Sequence, residues 1–177
     1  MGGVDKGLVE FDGQPMVAHV IARLAPQVAT LVINANQNAE RYAAFGHPVV
    51  ADAIGGFAGP LAGLHAGLAV ARTSHVVTVP CDSPFLPDDL AARLAAAMAA
   101  VDAELAVART GDQPHPVFAL VAVGVLPHLA RFLEGGGRKI DAWYASLRVT
   151  EVAFDDEAAA FRNINTREEL AANLARP

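Results

Sequence analysis

The sequence has 177 residues, 53% hydrophobic, with 13 Lys and Arg against 19 Asp and Glu for a formal net charge of −6. That length supports one domain, residues 1–177, with a substantial core. The acidic balance without a basic cluster excludes a nucleic-acid footprint, and no apolar stretch reaches the length of a membrane span. The single cysteine, Cys81, allows no internal disulfide, and no apolar signal region follows a basic start. The expected location is cytoplasmic.

The chain opens on MGGVDKG, a glycine-rich loop with no strand before it, then a short run at residues 8–11 and a turn at Asp12-Gly13. Residues 15–25 read as a helix with Pro at its first turn. Residues 28–34 (VATLVIN) read as a buried strand, 38–45 as a short helix and 48–52 (PVVAD) as a short strand. A glycine-rich loop, 53–59, leads into a helix at 60–72. Residues 75–80 (HVVTVP) read as a central strand. Residues 87–100 read as a helix whose first turn carries Asp88 and Asp89, where the helix dipole favours them. Strands follow at 104–109 and 117–123, helices at 125–134 and 140–147, and a strand at 149–154. A closing helix at 166–175 starts with Thr166 and Glu169 spaced as a capping box. Strand–helix alternation predicts an α/β fold with a mostly parallel sheet covered on both faces.

In such sheets ligands sit beyond the carboxyl ends of the strands. Asp82, in the PCDSP run after a buried strand, suits a divalent cation beside a phosphate, or alternatively a turn or cap. Lys6, between glycines, suits either a phosphate cradled by backbone N–H groups or a solvated turn. Asp52 closes PVVAD beside Gly55, Gly56, Gly59 and Gly63. Its carboxylate matches the adjacent N1–H and amine donors of guanine, though a plain loop Asp fits the sequence as well. Cys81 reads as a small buried apolar residue rather than a nucleophile. The six histidines are scattered, without zinc-ligand spacing. His115-Pro116 precedes a strand and suits a cleft or a loop. Arg138 and Lys139, after Gly135–Gly137, suit either an acidic second substrate or a solvated connector.

Taken in order, GGVDKG, INAN, VVAD, GPLAG, PCDSP, HP, GGGRK and NINT resemble the molybdenum cofactor guanylyltransferases of the MobA type. These belong to the wider nucleotidyltransferases with a Rossmann-like, three-layer sandwich. GPLAG and PCDSP are shared with cytidylyl- and sugar-nucleotidyltransferases; VDKG, INAN and NINT narrow the likeness. The resemblance covers essentially the whole chain. It implies transfer of GMP from GTP to molybdopterin, with Mg²⁺ as cofactor and release of pyrophosphate. It also implies protein partners that deliver molybdopterin or receive the finished cofactor. By motif, Lys6 contacts the GTP phosphates, Asn34 and Asp52 bind the nucleoside, Gly63 allows close approach of the ligand, and Asp82 holds Mg²⁺. Asn163 and Asn165 lie near the reacting phosphates, and Arg138 belongs to the molybdopterin side. GTP and Mg²⁺ would bind on the side of Lys6, Asn34, Asp52 and Asp82, with the acceptor side contributed by residues 104–165. Alternatives are a sibling transferase using CTP or another NTP, or a nucleotide-binding protein without catalysis.

The resemblance has one gap. The family pattern places a strand and the first part of the glycine loop before VDKG, and the sequence as written starts inside that loop. Loss of an interior strand would expose two sheet edges and remove core. The expectation is therefore a start placed too late, and poor folding with weak or no turnover for a chain that begins at Met1.

Overall fold

The computed structural model describes residues 5–54 and 59–161. The opening loop closes into a one-turn 3₁₀ helix, Lys6–Leu8, followed by a small hairpin of β1 (Glu10–Phe11) and β2 (Gln14–Pro15). Asp12 and Gly13 both take positive φ, +47° and +76°, the conformation two-residue hairpin turns require. Helix α1 (Met16–Leu24) begins directly after Pro15.

Strand β3 (Ile33–Asn34) pairs in parallel with β4 (Val49–Val50), and the short helix α2 (Ala39–Ala43) connects them. After α3 (Pro60–Val70) comes β5 (His75–Thr78), then α4 (Leu90–Ala100). Strands β6 (Leu105–Thr110) and β7 (Gln113–Ala122) form a long hairpin. Its register shifts between Val107, opposite Ala119, and Ala108, opposite His115, and Pro116 in the skipped stretch offers no N–H to the ladder. Helices α5 (Leu126–Glu134) and α6 (Ile140–Tyr144) precede β8 (Val149–Ala153). The four-stranded sheet has the order β5-β7-β6-β8, antiparallel at β7 and parallel between β6 and β8.

Two cores cover the two faces of this sheet. Period-two alternation along β6 sends Leu105 and Val107 to one face and Ala106 and Ala108 to the other. On the first face they meet Leu61, Leu64 and Leu68 of α3, Leu129 and Leu133 of α5, and the fully buried Trp143 of α6. On the second they meet Val20 and Leu24 of α1 and Leu90, Leu94 and Met98 of α4. The result is a three-layer α/β sandwich, as the alternation predicts.

The sheet is interrupted at one place. The β3–β4 pair and the four-stranded sheet share no ladder. Between them lies a cavity of about 1500 Å³, lined by Val20 and Leu24 of α1, Leu31 and Ile33 beside β3, and Val77 and Val79 at β5. Two sequence expectations change here for the same reason. The strand expected over 28–34 is paired only at Ile33–Asn34, and the strand expected to be central, at 75–80, has a single partner, β7. Among the described residues, neither is paired on its other side.

Candidate functional site

Parallel pairing of β3 with β4 sets Asn34 opposite Val50, so both strands deliver their last polar residues to one edge. There the Asn34 Nδ2 amide donates to Asp52 Oδ1 at 2.9 Å and to the Val50 carbonyl at 3.2 Å. Asn36 Nδ2 donates to the other carboxylate oxygen, Asp52 Oδ2, at 2.8 Å, and the Asp52 backbone N–H returns a bond to Asn36 Oδ1 at 2.8 Å. Each oxygen of Asp52 thus has one lone pair committed and one direction open. A base edge with two neighbouring donors fits what is left.

Gly63, on the first turns of α3, faces the same cluster. A Cβ added there would stand 2.5 Å from Asn34 Oδ1, closer than side chains pack. The close approach that this glycine permits is made by the Asn34 amide.

The second half of the site lies at the end of β5. Asp82 and Ser83 are buried, and the Lys6 ammonium reaches Asp82 Oδ2 at 3.3 Å. The Lys6 side chain is 42% exposed and that of Asp82 only 11%, so the carboxylate is held in a partly desolvated wall while the ammonium faces the opening. A cation with an acid behind it, beside a short glycine turn, suits phosphate oxygens. Asp82 also suits a magnesium ion, which takes one or two protein carboxylates and fills its shell with phosphate oxygens and water. Among the described residues no group of three acidic, His or Cys side chains forms a metal cage.

Cys81 sits beside this pair. Crowding around the sulfur, followed by the negative charges of Asp82 and Asp5, pushes its thiol up to about 11. A thiol so hard to ionise is a poor nucleophile, although the residue is exposed.

Arg138 and His115 make contacts of their own. Arg138 turns back on its own loop, donating to the carbonyls of Leu133 (2.8 Å) and Gly137 (2.7 Å), and so caps the end of α5. Lys139 stands immediately before α6. His115 pairs with Thr110 Oγ1 at 2.8 Å and stacks on Phe161 with ring centroids 4.7 Å apart. Burial holds its imidazole below the ordinary value. Tyr144 donates to the Pro116 carbonyl at 2.6 Å, which ties α6 to the same stretch of β7. Asn163 and Asn165, and the helix expected at 166–175, lie outside the described residues.

Three residues not singled out from the sequence belong to the site, Asn36, Asn38 and Tyr42, and Asp5, beside Lys6 in the opening loop, joins them. Asn38 Nδ2 donates to Asp5 Oδ2 at 2.9 Å, and the Tyr42 hydroxyl donates to Asp5 Oδ1 at 2.5 Å. The alternating asparagines of NANQN, directly after a strand, were the visible signal. Their acceptors come from residues far along the chain.

A family model, the MobA-like NTP transferase domain, matches residues 1–149. The molybdenum cofactor guanylyltransferase of Cupriavidus taiwanensis is 55% identical over 181 aligned positions, covering 99% of this chain and 90% of that protein. The protein of the same name from a Shewanella species (strain MR-4) is 49% identical, covering 98% and 90%. Among solved structures, molybdopterin-guanine dinucleotide biosynthesis protein A from Archaeoglobus fulgidus superposes with a TM-score of 0.78 at 24% identity, over 96% of this chain and 89% of that one. The 2-C-methyl-D-erythritol 4-phosphate cytidylyltransferase of Thermus thermophilus superposes at 0.72 with 18% identity, over 97% and 94%. At those identities the structural likeness establishes the shared Rossmann-like fold.

Proposed function

Since this chain belongs to the MobA-like NTP transferase family, we propose that it transfers GMP from GTP to molybdopterin, forming the guanine dinucleotide cofactor and pyrophosphate. The observation that carries the reading is the likeness at 55% identity over nearly the whole chain to a molybdenum cofactor guanylyltransferase. The pairing of a base-reading edge with a cationic edge supports it.

In this reading Asp52, steadied by Asn34 and Asn36, accepts from guanine N1–H and the exocyclic amine through its two open directions. Cytosine lacks that donor pair, so the same geometry selects against CTP. Lys6 turns its exposed ammonium to the triphosphate. A phosphate oxygen of molybdopterin attacks the α-phosphorus of GTP; the new P–O bond forms as the bond to the bridging oxygen breaks, and pyrophosphate leaves with that electron pair. No proton need move in this step, which suits a site without a catalytic His or ionised Cys. Two polyanions must instead be held together, so positioning and charge compensation supply the acceleration. Magnesium held by Asp82 would neutralise charge on the phosphates. Gly63 leaves room for the Asn34 amide under the nucleoside. Asn163 and Asn165 serve the reacting phosphates. Residues 104–165 contribute the acceptor side, where Arg138 would have to leave its carbonyl partners on α5 to meet molybdopterin. No helix among the described residues is long and apolar enough to cross a membrane; in this reading the enzyme works in the cytoplasm.

The test is GTP against CTP. Asp52→Ala should remove the preference for guanine while leaving both nucleotides bound weakly through their phosphates. An unchanged preference would remove Asp52 from the role of base reader.

A further inference from the structure

The stretch from the end of β3 to the start of α2 carries asparagines at every second position, Asn34, Asn36 and Asn38. The first two hold Asp52. The third reaches the other way, to Asp5, and Tyr42, one helical turn later, takes the second oxygen of the same carboxylate. Asn38 and Tyr42 are themselves joined, the Tyr42 N–H donating to the Asn38 carbonyl at 3.1 Å. Asn38 adopts a left-handed conformation, φ +54°, which asparagine tolerates better than most residues. Tyr42 is buried; burial and the bond to Asp5 hold its phenol protonated far above the ordinary value, so it stays a donor.

Asp5 immediately precedes Lys6. Its carbonyl accepts from the Leu8 N–H at 3.1 Å, and the Lys6 carbonyl accepts from the Val9 N–H at 3.2 Å, so the turn is internally fixed. Gly7 seats that turn on the strap. A Cβ there would be 2.6 Å from Tyr42 Oη and 3.2 Å from Cys81 Sγ. One segment of nine residues thus grips the carboxylate at the base end and the carboxylate that anchors the lysine at the phosphate end.

We propose that residues 34–42 act as a strap that fixes the spacing between Asp52 and Lys6, with Asp5, Asn38 and Tyr42 as positioning residues for the phosphate-binding lysine. The proposal rests on the nucleotide-binding reading above. It makes the strap a ruler: a ligand is held well only when its base and its phosphates are separated as in a nucleoside triphosphate.

The test compares guanosine with GTP by calorimetry in the wild type, Tyr42→Phe, Asn38→Ala and Lys6→Ala. Tyr42→Phe and Asn38→Ala should each weaken GTP binding about tenfold, the loss expected when a hydrogen bond to a charged group is removed. Guanosine affinity should stay within about twofold, because the base end keeps Asn34 and Asn36. Against a Lys6→Ala background, Tyr42→Phe should add less than about twofold, since both changes act through one ammonium. Equal weakening of guanosine and GTP, or full additivity with Lys6→Ala, would overturn the proposal. A second readout needs no nucleotide: loosening the turn over Cys81 should raise its alkylation rate severalfold in Tyr42→Phe and in the exposed-site variant Asn38→Ala. Unchanged alkylation in both variants would overturn the strap by itself. Failure of the wild type to bind GTP would instead count against the nucleotide reading.

Discussion

Gly63→Ala is the substitution whose consequences the structure resolves most sharply. The new methyl would lie 2.5 Å from Asn34 Oδ1 and 3.2 Å from its Cγ, with no backbone atom among its near neighbours. The Asn34 side chain is exposed and can turn away, so the collision is relieved by losing its bonds to Asp52 and Val50 rather than by moving the helix. Those two bonds are worth about 0.5–1.5 kcal/mol each, the one to the carboxylate at the upper end. Replacing glycine by alanine within a helix returns roughly 0.5–1 kcal/mol. The second term offsets part of the first and leaves a net loss of about 1 kcal/mol, and a chain of this size shifts its Tm by about 2–4 °C per kcal/mol. Gly63→Ala should therefore unfold within about 5 °C of the wild type. GTP affinity should nevertheless fall about tenfold, because Asp52 is released on one side. Calorimetry and thermal unfolding on the same preparations decide it. A fall in Tm beyond about 10 °C would mean that the methyl meets something rigid. An unchanged GTP affinity would mean that the Asn34–Asp52 contact does not shape the base site.

Other outcomes are expected from the same geometry. Asp82→Asn should abolish metal-dependent nucleotide binding while GTP retains weak metal-independent affinity through Lys6, measurable by titration with and without chelator. Trp143→Ala removes the largest fully buried side chain and should cost about 3–5 kcal/mol, read as a Tm lower by roughly 10 °C. The Cys81 thiol, raised from 9.0 to about 11, is favoured neutral in the folded state. Its contribution to stability is complete below pH 9 and is lost as pH rises towards 11. Cys81→Ser should flatten that alkaline loss in denaturation curves. The cavity between β3 and β5 should bind an apolar fluorescent dye. An unchanged dye spectrum on adding the protein would contradict it.

Much of this was legible in the sequence, and the reasons differ by element. Helix α4 and strand β6 follow directly from periodicity: LAARLAAAMAA buries Leu90, Leu94 and Met98 at helical spacing, and LAVAR alternates between two cores. The Asp12-Gly13 turn is chemistry of two residues and needs no tertiary context. The residues around β3 and β5 read as longer strands than they form, because a strand's pairing depends on its neighbours and not on its own pattern. Asp52 and Asp82 stand out because they end apolar runs. Asn36, Asn38 and Tyr42 do not, since a surface asparagine acquires meaning only from the carboxylate it meets, and Asp5 lies 33 and 37 positions away from its two partners. Arg138 shows the converse: cations after three glycines fit an acidic ligand or a solvated connector equally in the sequence, and only the structure shows the guanidinium on the carbonyls of its own helix end.

The most direct test of guanylyl transfer supplies the protein with molybdopterin, Mg²⁺ and equal GTP and CTP, then identifies the dinucleotide by mass and measures pyrophosphate. The account predicts the guanine dinucleotide, with one pyrophosphate released per product and little cytosine product. A cytosine dinucleotide, or GTP bound and returned intact under every acceptor condition, would contradict it.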